Sequence, residues 1–280
     1  MLYDFVDDRE EMAQQEVLSS FFRGVRVITL DATNTILRVK GSVGERYANA
    51  GHQHGIEGVD ASNLDKGFGL AWKSTWQEYP NFGRSQSMPA HRWWEMIVLK
   101  SFECSGCKAT PVQLRPVFEQ LYSEFNGGDA WLAYEDVQPA LEALRDSGIR
   151  LAVISNFHHV LSDILDDLKL TKYFEKVFMS GELDYCKPDT RIFQHCLQAL
   201  GVDDASTVAH IGDDWEKDVE ACRKLGMRPV HLDRKRIAAN VGLDINKRTA
   251  AAPGVSTGVL RLSSLSDLME CLQYNNTSPR

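Results

Sequence analysis

The sequence lacks internal repeats, low-complexity tracts and any apolar run that would suggest a membrane span. With 43% hydrophobic and 25% charged residues, it has the composition of an ordinary globular protein, neither disordered nor fibrous. Its 280 residues are long for a single hydrophobic core. We therefore expect a core domain accompanied by a smaller second domain, and no membrane partner.

Positive charge is also scarce. The 31 lysines and arginines are outnumbered by 39 acidic residues, which gives a net charge of −8. Such a chain has no general basic surface for a nucleic-acid backbone, so we expect no nucleic-acid partner, and local groups must bind any anionic substrate. Residues 1–15 contain five acidic side chains, the opposite of a basic targeting segment. We expect a cytoplasmic protein with an N-terminal helix or arm over residues 1–21.

The cysteines form no recognisable framework. Because no secretory signal is evident, the six cysteines are expected to be reduced thiols rather than disulfides. Cys104 and Cys107 make a single C-x-x-C pair, which has neither a second pair nor a histidine at zinc-finger spacing. A turn between two helices is the simpler interpretation of this pair.

Short apolar runs, rich in β-branched residues, alternate with helical patterns over most of the chain. Strands that alternate with helices predict right-handed crossovers and a parallel sheet, whose binding crevice lies at the carboxyl ends of the strands. The predicted strands are residues 25–30, 151–154, 177–179 and 208–211, with a fifth candidate at 229–232. The first four end at Asp31, Ser155-Asn156, Ser180-Gly181 and Gly212-Asp213-Asp214, so polar residues should gather at one edge of the sheet.

The alternation stops between Gly41 and Trp131, where the apolar spacing is helical throughout. Most aromatic side chains of this segment are expected to pack together, because a small helical domain needs large apolar groups to form a core. The loop from Tyr79 to Arg84 could hang over the crevice and contribute Asn81 or Arg84 to specificity. Alternatively, it is a plain turn between helices.

Three polar side chains at the predicted strand ends and loops suit phosphoryl chemistry. Asp31, held rigidly after a buried strand, can attack phosphorus to give an acyl-phosphate. Ser155 can donate its hydroxyl to a phosphoryl oxygen. Lys187, followed by Pro188, can neutralise both the carboxylate and the phosphoryl group.

A fourth feature is an acidic cluster, made of Asp213, Asp214 and Asp218, that suits a hard, oxygen-seeking ion such as Mg²⁺. Each feature alone has a simpler structural interpretation, such as a helix cap, a turn or a partner of the helix dipole. Their occurrence together, each near a predicted strand end, favours a catalytic site.

The order of these features resembles the four motifs of the haloacid dehalogenase superfamily, and the helical insertion resembles its C1-type cap. The motifs are D-x-x-x-T from Asp31, Ser155-Asn156 after a strand, Lys187-Pro188-Asp189, and Gly212-Asp213 with Asp218. The segments 79–83, 93–94 and 153–157 are similar to the haloacid dehalogenase-like hydrolase domain-containing 3 group and the insect rhythmically expressed gene 2 proteins. The resemblance extends from about Val25 to Leu232.

This resemblance implies an α/β fold: a Rossmann-like, three-layer α/β/α parallel sheet with an inserted helical cap domain. We place the core at residues 22–40 and 132–262 and the cap at 41–131. A C-terminal helix and tail would follow at 263–280.

The resemblance also implies roles for individual residues. Asp31 would be both nucleophile and metal ligand, Thr33 would offer its backbone carbonyl to Mg²⁺, and Asp213 would be a carboxylate ligand. Asp218 would orient Lys187 or a metal-bound water, and it belongs to the same expected metal site. Asp214 could substitute for either acid if the turn is shifted.

The phosphoryl oxygens would be bound by Ser155, Asn156 and Lys187. Of these, Ser155 and Lys187 would act with Asp31 as the catalytic residues.

One position departs from the family pattern. Most phosphatases of the superfamily have an aspartate two residues after the nucleophile as general acid and base, whereas this sequence has Thr33. Threonine cannot carry a proton at neutral pH, and losing such help costs about 10² to 10⁴ in rate. We expect a slow or narrow Mg²⁺-dependent phosphatase that acts on a small phosphorylated metabolite through an aspartyl-phosphate. The alternative is a catalytically weak or inactive member that binds phosphate or a partner.

Other chemistries fit the sequence less well. Dehalogenases of the superfamily lack the acidic fourth motif, so Asp213 and Asp218 favour phosphoryl transfer, in which Mg²⁺ offsets phosphate charge. A phosphonate hydrolase would need a cap lysine, and neither Lys66 nor Lys73 can be singled out.

Four histidines are candidates for a supporting role. His52 and His54 could replace the missing acid if the cap closes, and His158 or His159 could contact a substrate. His210, inside a predicted strand, is expected to be a hydrogen-bonded core residue.

Overall fold

The computed structural model describes residues 19–234, 255–256 and 258–269. Nearly all of the predicted N-terminal arm and the end of the predicted C-terminal tail lie outside these residues. Within the described residues, no helix is long and apolar enough to cross a membrane.

A seven-stranded sheet forms the centre of the molecule. Its members are β1 (Val27–Leu30), β4 (Arg150–Ser155), β5 (Lys176–Met179), β6 (Val208–Gly212), β7 (Arg228–Leu232), β8 (Val255–Ser256) and β9 (Val259–Leu262), in the order β5-β4-β1-β6-β7-β9-β8. Six strands are parallel, and only the edge strand β8 is antiparallel to its neighbour. The predicted parallel sheet and its five strands are therefore confirmed, and β9 and β8 extend it.

Two short strands lie outside this sheet. They are β2 (Leu37–Val39) and β3 (Trp131–Ala133), which pair antiparallel to each other. The chain leaves the core after β2 and returns through β3, so the two connections run side by side.

Helices cover both faces of the sheet. They are α5 (Val137–Asp146), α6 (Leu161–Asp167) and α7 (Arg191–Ala199), and a π-helical turn, Trp215–Glu220, continues as Ala221–Arg223. Because side chains alternate along a strand, Ile28 and Leu30 pack with α5 and α6, whereas Val27 packs with α7 and Cys222 on the opposite face. This is the predicted three-layer α/β/α architecture.

Four helices form a separate helical segment: α1 (Val43–Gln53), α2 (Ala61–Glu78), α3 (Ala90–Cys104) and α4 (Pro111–Phe125). The hydroxyls of Ser42 and Thr110 cap α1 and α4, and each helix returns a side-chain hydrogen bond to its cap. Tyr47, Phe102 and Phe118 are buried in its core. The boundary of a cap domain at 41–131 stays a prediction.

Close packing between α2 and α3 depends on a glycine. A Cβ atom at Gly67 would lie 2.4 Å from the carbonyl oxygen of Ser101, so a larger residue would push the helices apart. The two helices consequently bring the aromatic residues of their facing sides together, including Trp72 and Trp93, whose rings are 5.2 Å apart.

The loop after α2 anchors the helical segment to the core. Asn81, Phe82 and Gly83 all have left-handed backbone angles, and Asn81 Nδ2 donates hydrogen bonds to the carbonyls of Ser180 and Leu183, both at 2.9 Å. The Arg84 side chain in turn donates to the Asp184 carboxylate and the Gly181 carbonyl. Neither Asn81 nor Arg84 lines the crevice, so the loop is a structural anchor rather than a specificity loop.

Replacing Asn81 by aspartate tests this anchor. Aspartate tolerates the left-handed backbone much as asparagine does, but it presents an oxygen to two carbonyl oxygens where the amide donated. We expect Asn81→Asp to lower the free energy of unfolding by about 2 to 4 kcal/mol, measured by urea denaturation. Ser87→Asp, which adds the same charge at an exposed left-handed position of the loop, is the control. Equal stability of Asn81→Asp and wild type would contradict the anchor.

Candidate active site

The carboxyl ends of three neighbouring strands meet at one edge of the sheet. Asp31 follows β1, Ser155 ends β4 and Asp213 follows β6. The Asp31 amide donates to the Ile211 carbonyl at 2.9 Å, which continues the pairing of β1 with β6 and fixes the carboxylate at the edge. All seven predicted site residues line one cavity here: Asp31, Thr33, Ser155, Asn156, Lys187, Asp213 and Asp218.

Lys187 is the central cation of the site. Its Nζ donates to Asp31 Oδ1 and Asp218 Oδ1, both at 2.6 Å, and to the Ile154 carbonyl at 2.9 Å. The side chain is only 2% exposed. Burial acts to lower the pKa of Lys187, but Asp218 and Asp31 raise it well above its usual value, so the ammonium group stays charged.

Asn156 positions Lys187, a role that the sequence did not reveal. Its Oδ1 accepts a hydrogen bond from the Lys187 amide and its Nδ2 donates to the Lys187 carbonyl, both at 2.8 Å. The peptide bond that follows, Lys187–Pro188, is cis. Although Asn156 lines the cavity, both ends of its side-chain amide already bind the backbone of Lys187.

A buried chain of hydrogen bonds supports Asp218. His210 Nε2 lies 3.2 Å from Asp218 Oδ1, and His210 Nδ1 lies 2.8 Å from the Thr29 hydroxyl. With Nε2 protonated, His210 donates to the carboxylate and accepts from Thr29. Burial acts to raise the pKa of Asp218, but Lys187 and His210 hold it below its usual range, so Asp218 is ionised. His210 is therefore the hydrogen-bonded core residue that the sequence indicated.

Asp31, Asp213 and Asp218 crowd their carboxylates together. One oxygen of each lies within 4.8 Å of the others. Burial, together with the charges of Asp31 and Asp218, raises the pKa of Asp213 to about 7. Burial also raises the pKa of Asp31 despite the nearby Lys187. Lys187 binds the carboxylates of Asp31 and Asp218 but not that of Asp213. The all-oxygen donor set of the three carboxylates fits a hard divalent cation.

Local hydrogen bonds explain where Thr33 and Asp214 lie. The Ala32 carbonyl accepts hydrogen bonds from the amides of Ile36 and Leu37, and this tight turn places Thr33 at the cavity wall. Asp214 accepts hydrogen bonds from the amides of Glu216 and Lys217 and from the Lys217 ammonium group. Because Asp214 caps this turn, it does not replace either acid of the cluster.

No described histidine is placed to supply the missing acid. His158 is the only one among the described residues that line the cavity. Its Nε2 accepts a hydrogen bond from the Trp94 indole at 2.8 Å, and burial lowers its pKa to about 3, with a smaller contribution from His159. His52 and His54 lie elsewhere, and His54 Nε2 is 2.9 Å from Gln120 Oε1.

Comparisons with known proteins agree on one family. The family model of haloacid dehalogenase-like hydrolases matches residues 25–226. Haloacid dehalogenase-like hydrolase domain-containing protein 3 of Bos taurus is 36% identical over 203 residues, covering 72% of this chain and 80% of its own length. The rhythmically expressed gene 2 protein of Drosophila melanogaster is 29% identical over 233 residues, covering 79% of this chain and 89% of its own.

Solved structures share the fold. A 2-haloacid dehalogenase from Pseudomonas syringae superposes with a TM-score of 0.56 at 20% identity, covering 89% of this chain and 99% of its own. A haloacid dehalogenase-family phosphatase from Thermococcus onnurineus gives 0.51 at 19% identity, covering 89% and 98%. Such low identities show the fold alone, and the two proteins differ in chemistry.

The crowded carboxylates should favour cation binding and, in the absence of a cation, lower the free energy of unfolding. Because the pKa of Asp213 is higher in the folded protein than in the unfolded chain, ionising it destabilises the fold as pH rises from about 4 to about 7. We expect Asp213→Asn to raise the metal-free free energy of unfolding by roughly 2 to 4 kcal/mol above pH 7. At pH 4 the gain should vanish. Thermal unfolding in EDTA at both pH values measures it.

Asp214→Asn is the matched control for this measurement. Burial acts to raise the pKa of Asp214, but hydrogen bonds from Lys217 lower it, so removing this charge should bring no such gain. Equal melting temperatures of Asp213→Asn and wild type at pH 8 would show that the cluster carries no excess charge.

Proposed function

The chain belongs to the haloacid dehalogenase-like hydrolase family, and from this we propose that it is a Mg²⁺-dependent phosphohydrolase that transfers the phosphoryl group of a small phosphorylated substrate to Asp31. The observation that carries the proposal is the cluster of Asp31, Asp213 and Asp218, two of whose carboxylates, those of Asp31 and Asp218, accept hydrogen bonds from the Lys187 ammonium group. A cation at these carboxylates would serve phosphoryl transfer, but would be of no use in displacing a halide.

The proposed reaction has two steps. An oxygen of Asp31 attacks phosphorus, the bond from phosphorus to the leaving oxygen breaks, and that oxygen departs with the electron pair. Water then attacks the phosphorus of the aspartyl-phosphate, which releases inorganic phosphate and restores the Asp31 carboxylate. The Lys187 ammonium group and the Ser155 hydroxyl would bind the phosphoryl oxygens during both steps.

The metal would occupy the acidic cluster. Asp31, Asp213 and Asp218 would hold it with carboxylate oxygens, and Thr33 would add its backbone carbonyl. Bound Mg²⁺ would offset the negative charge of the phosphoryl group. Asp218 would keep Lys187 in place, because it accepts a hydrogen bond from the Lys187 ammonium group.

The helical segment would act as the cap. Its helices supply the wall of the cavity opposite Asp31, so a bound substrate would be enclosed between the helical segment and the edge of the sheet. Such enclosure excludes bulk water and selects the substrate.

Thr33 supports a second candidate, a member of the family that binds phosphate or a partner with little or no turnover. Its side chain lines the cavity where the family's acid would stand, and His158 is too weakly basic to replace that acid. The two candidates differ in whether Asp31 becomes phosphorylated.

Trapping the covalent adduct distinguishes them. Protein incubated with Mg²⁺ and acetyl phosphate, then quenched in acid, should gain one phosphoryl group on Asp31, detected by peptide mass spectrometry. Asp31→Asn should gain none. Absence of the adduct in the wild type, together with no turnover of a broad panel of phosphate esters, would favour the binding protein.

Restoring an acid at position 33 tests the missing proton transfer. General acid–base help is worth about 10² to 10⁴ in rate, so Thr33→Asp should raise kcat for an alkyl phosphate by about tenfold or more. Thr33→Asn, of similar size but without a titratable proton, is the control. An equal effect of both variants would show that the missing acid does not limit turnover.

A further inference from the structure

The cavity above Asp31 has two chemically different ends. Its polar end holds the phosphoryl-binding residues, and the remainder is lined largely by aromatic side chains. We call this remainder the aromatic compartment: Tyr47, Phe68, Trp72, Trp76, Trp94, Phe118, Tyr122, Phe125, Trp131 and Phe157. The whole cavity measures about 920 Å³, near the upper end of the roughly 300 to 1,000 Å³ typical of small-molecule sites. A phosphate group alone would fill little of it.

Part of the compartment wall is a packed cluster of tryptophan rings. Trp72 and Trp76 stack with ring centres 5.6 Å apart and an angle of 12° between their planes. The fully buried Trp93 packs edge-on against both and donates its indole N–H to the Tyr79 carbonyl at 2.9 Å. Trp72 and Trp76 are themselves only half-buried and line the cavity. Their arrangement suits a planar ligand, since aromatic rings pack well on one another.

Polar partners for a sugar or polyol are few in this compartment. Apart from the tyrosine hydroxyls and the indole N–H groups, the described polar side chains that line it from α2 to the end of α4 are those of Lys73 and Gln77, both exposed, and of the half-buried Asn126. The indole N–H of Trp94 is already used by His158. Hydroxyl groups buried here without partners would carry a desolvation cost, so an apolar leaving group is favoured.

The lack of a proton donor in the site also favours an aromatic leaving group. Thr33 has no proton to give at neutral pH, and the Nε2 atom of His158 is occupied by Trp94. An aliphatic alkoxide is too basic to leave readily without a proton. A phenolate is far less basic, because a phenol has a pKa of about 10.

We propose that the substrate is the phosphate monoester of a planar aromatic hydroxyl compound, whose ring lies in the aromatic compartment while its phosphoryl group lies on Asp31. This inference rests on the proposed phosphohydrolase function. When the bond from phosphorus to oxygen breaks, the leaving group departs as a phenolate with the electron pair. It takes up a proton from water after release, so no acid is required at position 33.

Steady-state kinetics with four esters tests the proposal. Phenyl and 2-naphthyl phosphate have leaving groups of similar acidity, so their comparison reports on the aromatic compartment. We expect kcat/KM to be about tenfold higher for 2-naphthyl phosphate. Cyclohexyl phosphate, similar to phenyl phosphate in size, and glycerol 3-phosphate should each react at least 100-fold more slowly than phenyl phosphate.

Two variants on α2 test whether the preference for 2-naphthyl over phenyl phosphate arises in the aromatic compartment. Trp72→Leu should reduce the preference for naphthyl over phenyl to less than threefold, because an aromatic ring that lines the compartment is lost. Leu70→Ala changes an exposed residue of the same helix outside the cavity and should retain the full preference. Equal preferences in both variants would overturn the assignment of the ring to this compartment.

The outcomes separate the two proposals. Hydrolysis with equal kcat/KM for phenyl and 2-naphthyl phosphate, or faster hydrolysis of glycerol 3-phosphate, overturns the aromatic substrate and leaves the phosphohydrolase intact. If no ester reacts and Asp31 gains no phosphoryl group, the phosphohydrolase fails. Binding of 2-naphthylmethylphosphonate by calorimetry still tests the compartment in that case. Affinity about tenfold above that of methylphosphonate supports the compartment, and equal affinity overturns it.

Discussion

The Lys187 ammonium group joins the ends of three neighbouring strands, and the arrangement of the site depends on it. Its three hydrogen bonds reach Asp31 after β1, the Ile154 carbonyl in β4 and Asp218 after β6. Two buried carboxylates could not lie this close without a shared cation, because each would be desolvated beside a like charge. Asn156 and the chain through His210 hold the partners of this interaction in place.

The cavity combines a charged environment with an apolar one. Its polar end gathers three carboxylates where burial disfavours charge, while the aromatic compartment needs low polarity to bind an apolar group. Placing the carboxylates at strand ends, and the aromatic rings mainly on the helical segment, separates these environments within one cavity.

Much of the fold was predictable, because buried strands appear in the sequence as apolar runs. The carboxyl ends of parallel strands also lie at the same edge of the sheet. That rule brought Asp31, Ser155 and Asp213 together. The hydrogen bond between Thr29 and His210 was not predictable, since its partners lie 181 residues apart and only the β1–β6 register joins them. The strands β2 and β3 were not predicted, because a strand of three residues is too short to show a recognisable alternation of apolar and polar residues. The anchoring role of Asn81 was hidden because its partners are backbone carbonyls, which no sequence motif marks.

The anchor of the helical segment has a mechanical consequence. The chain enters and leaves this segment through β2 and β3, which lie side by side and form one natural pivot. In addition, Asn81 and Arg84 make four hydrogen bonds to residues 180–184. The helical segment therefore cannot swing away as a free lid: opening must break these bonds or pull residues 180–184 along. Because that stretch ends three residues before Lys187, the second route would transmit motion of the segment to the central cation of the site.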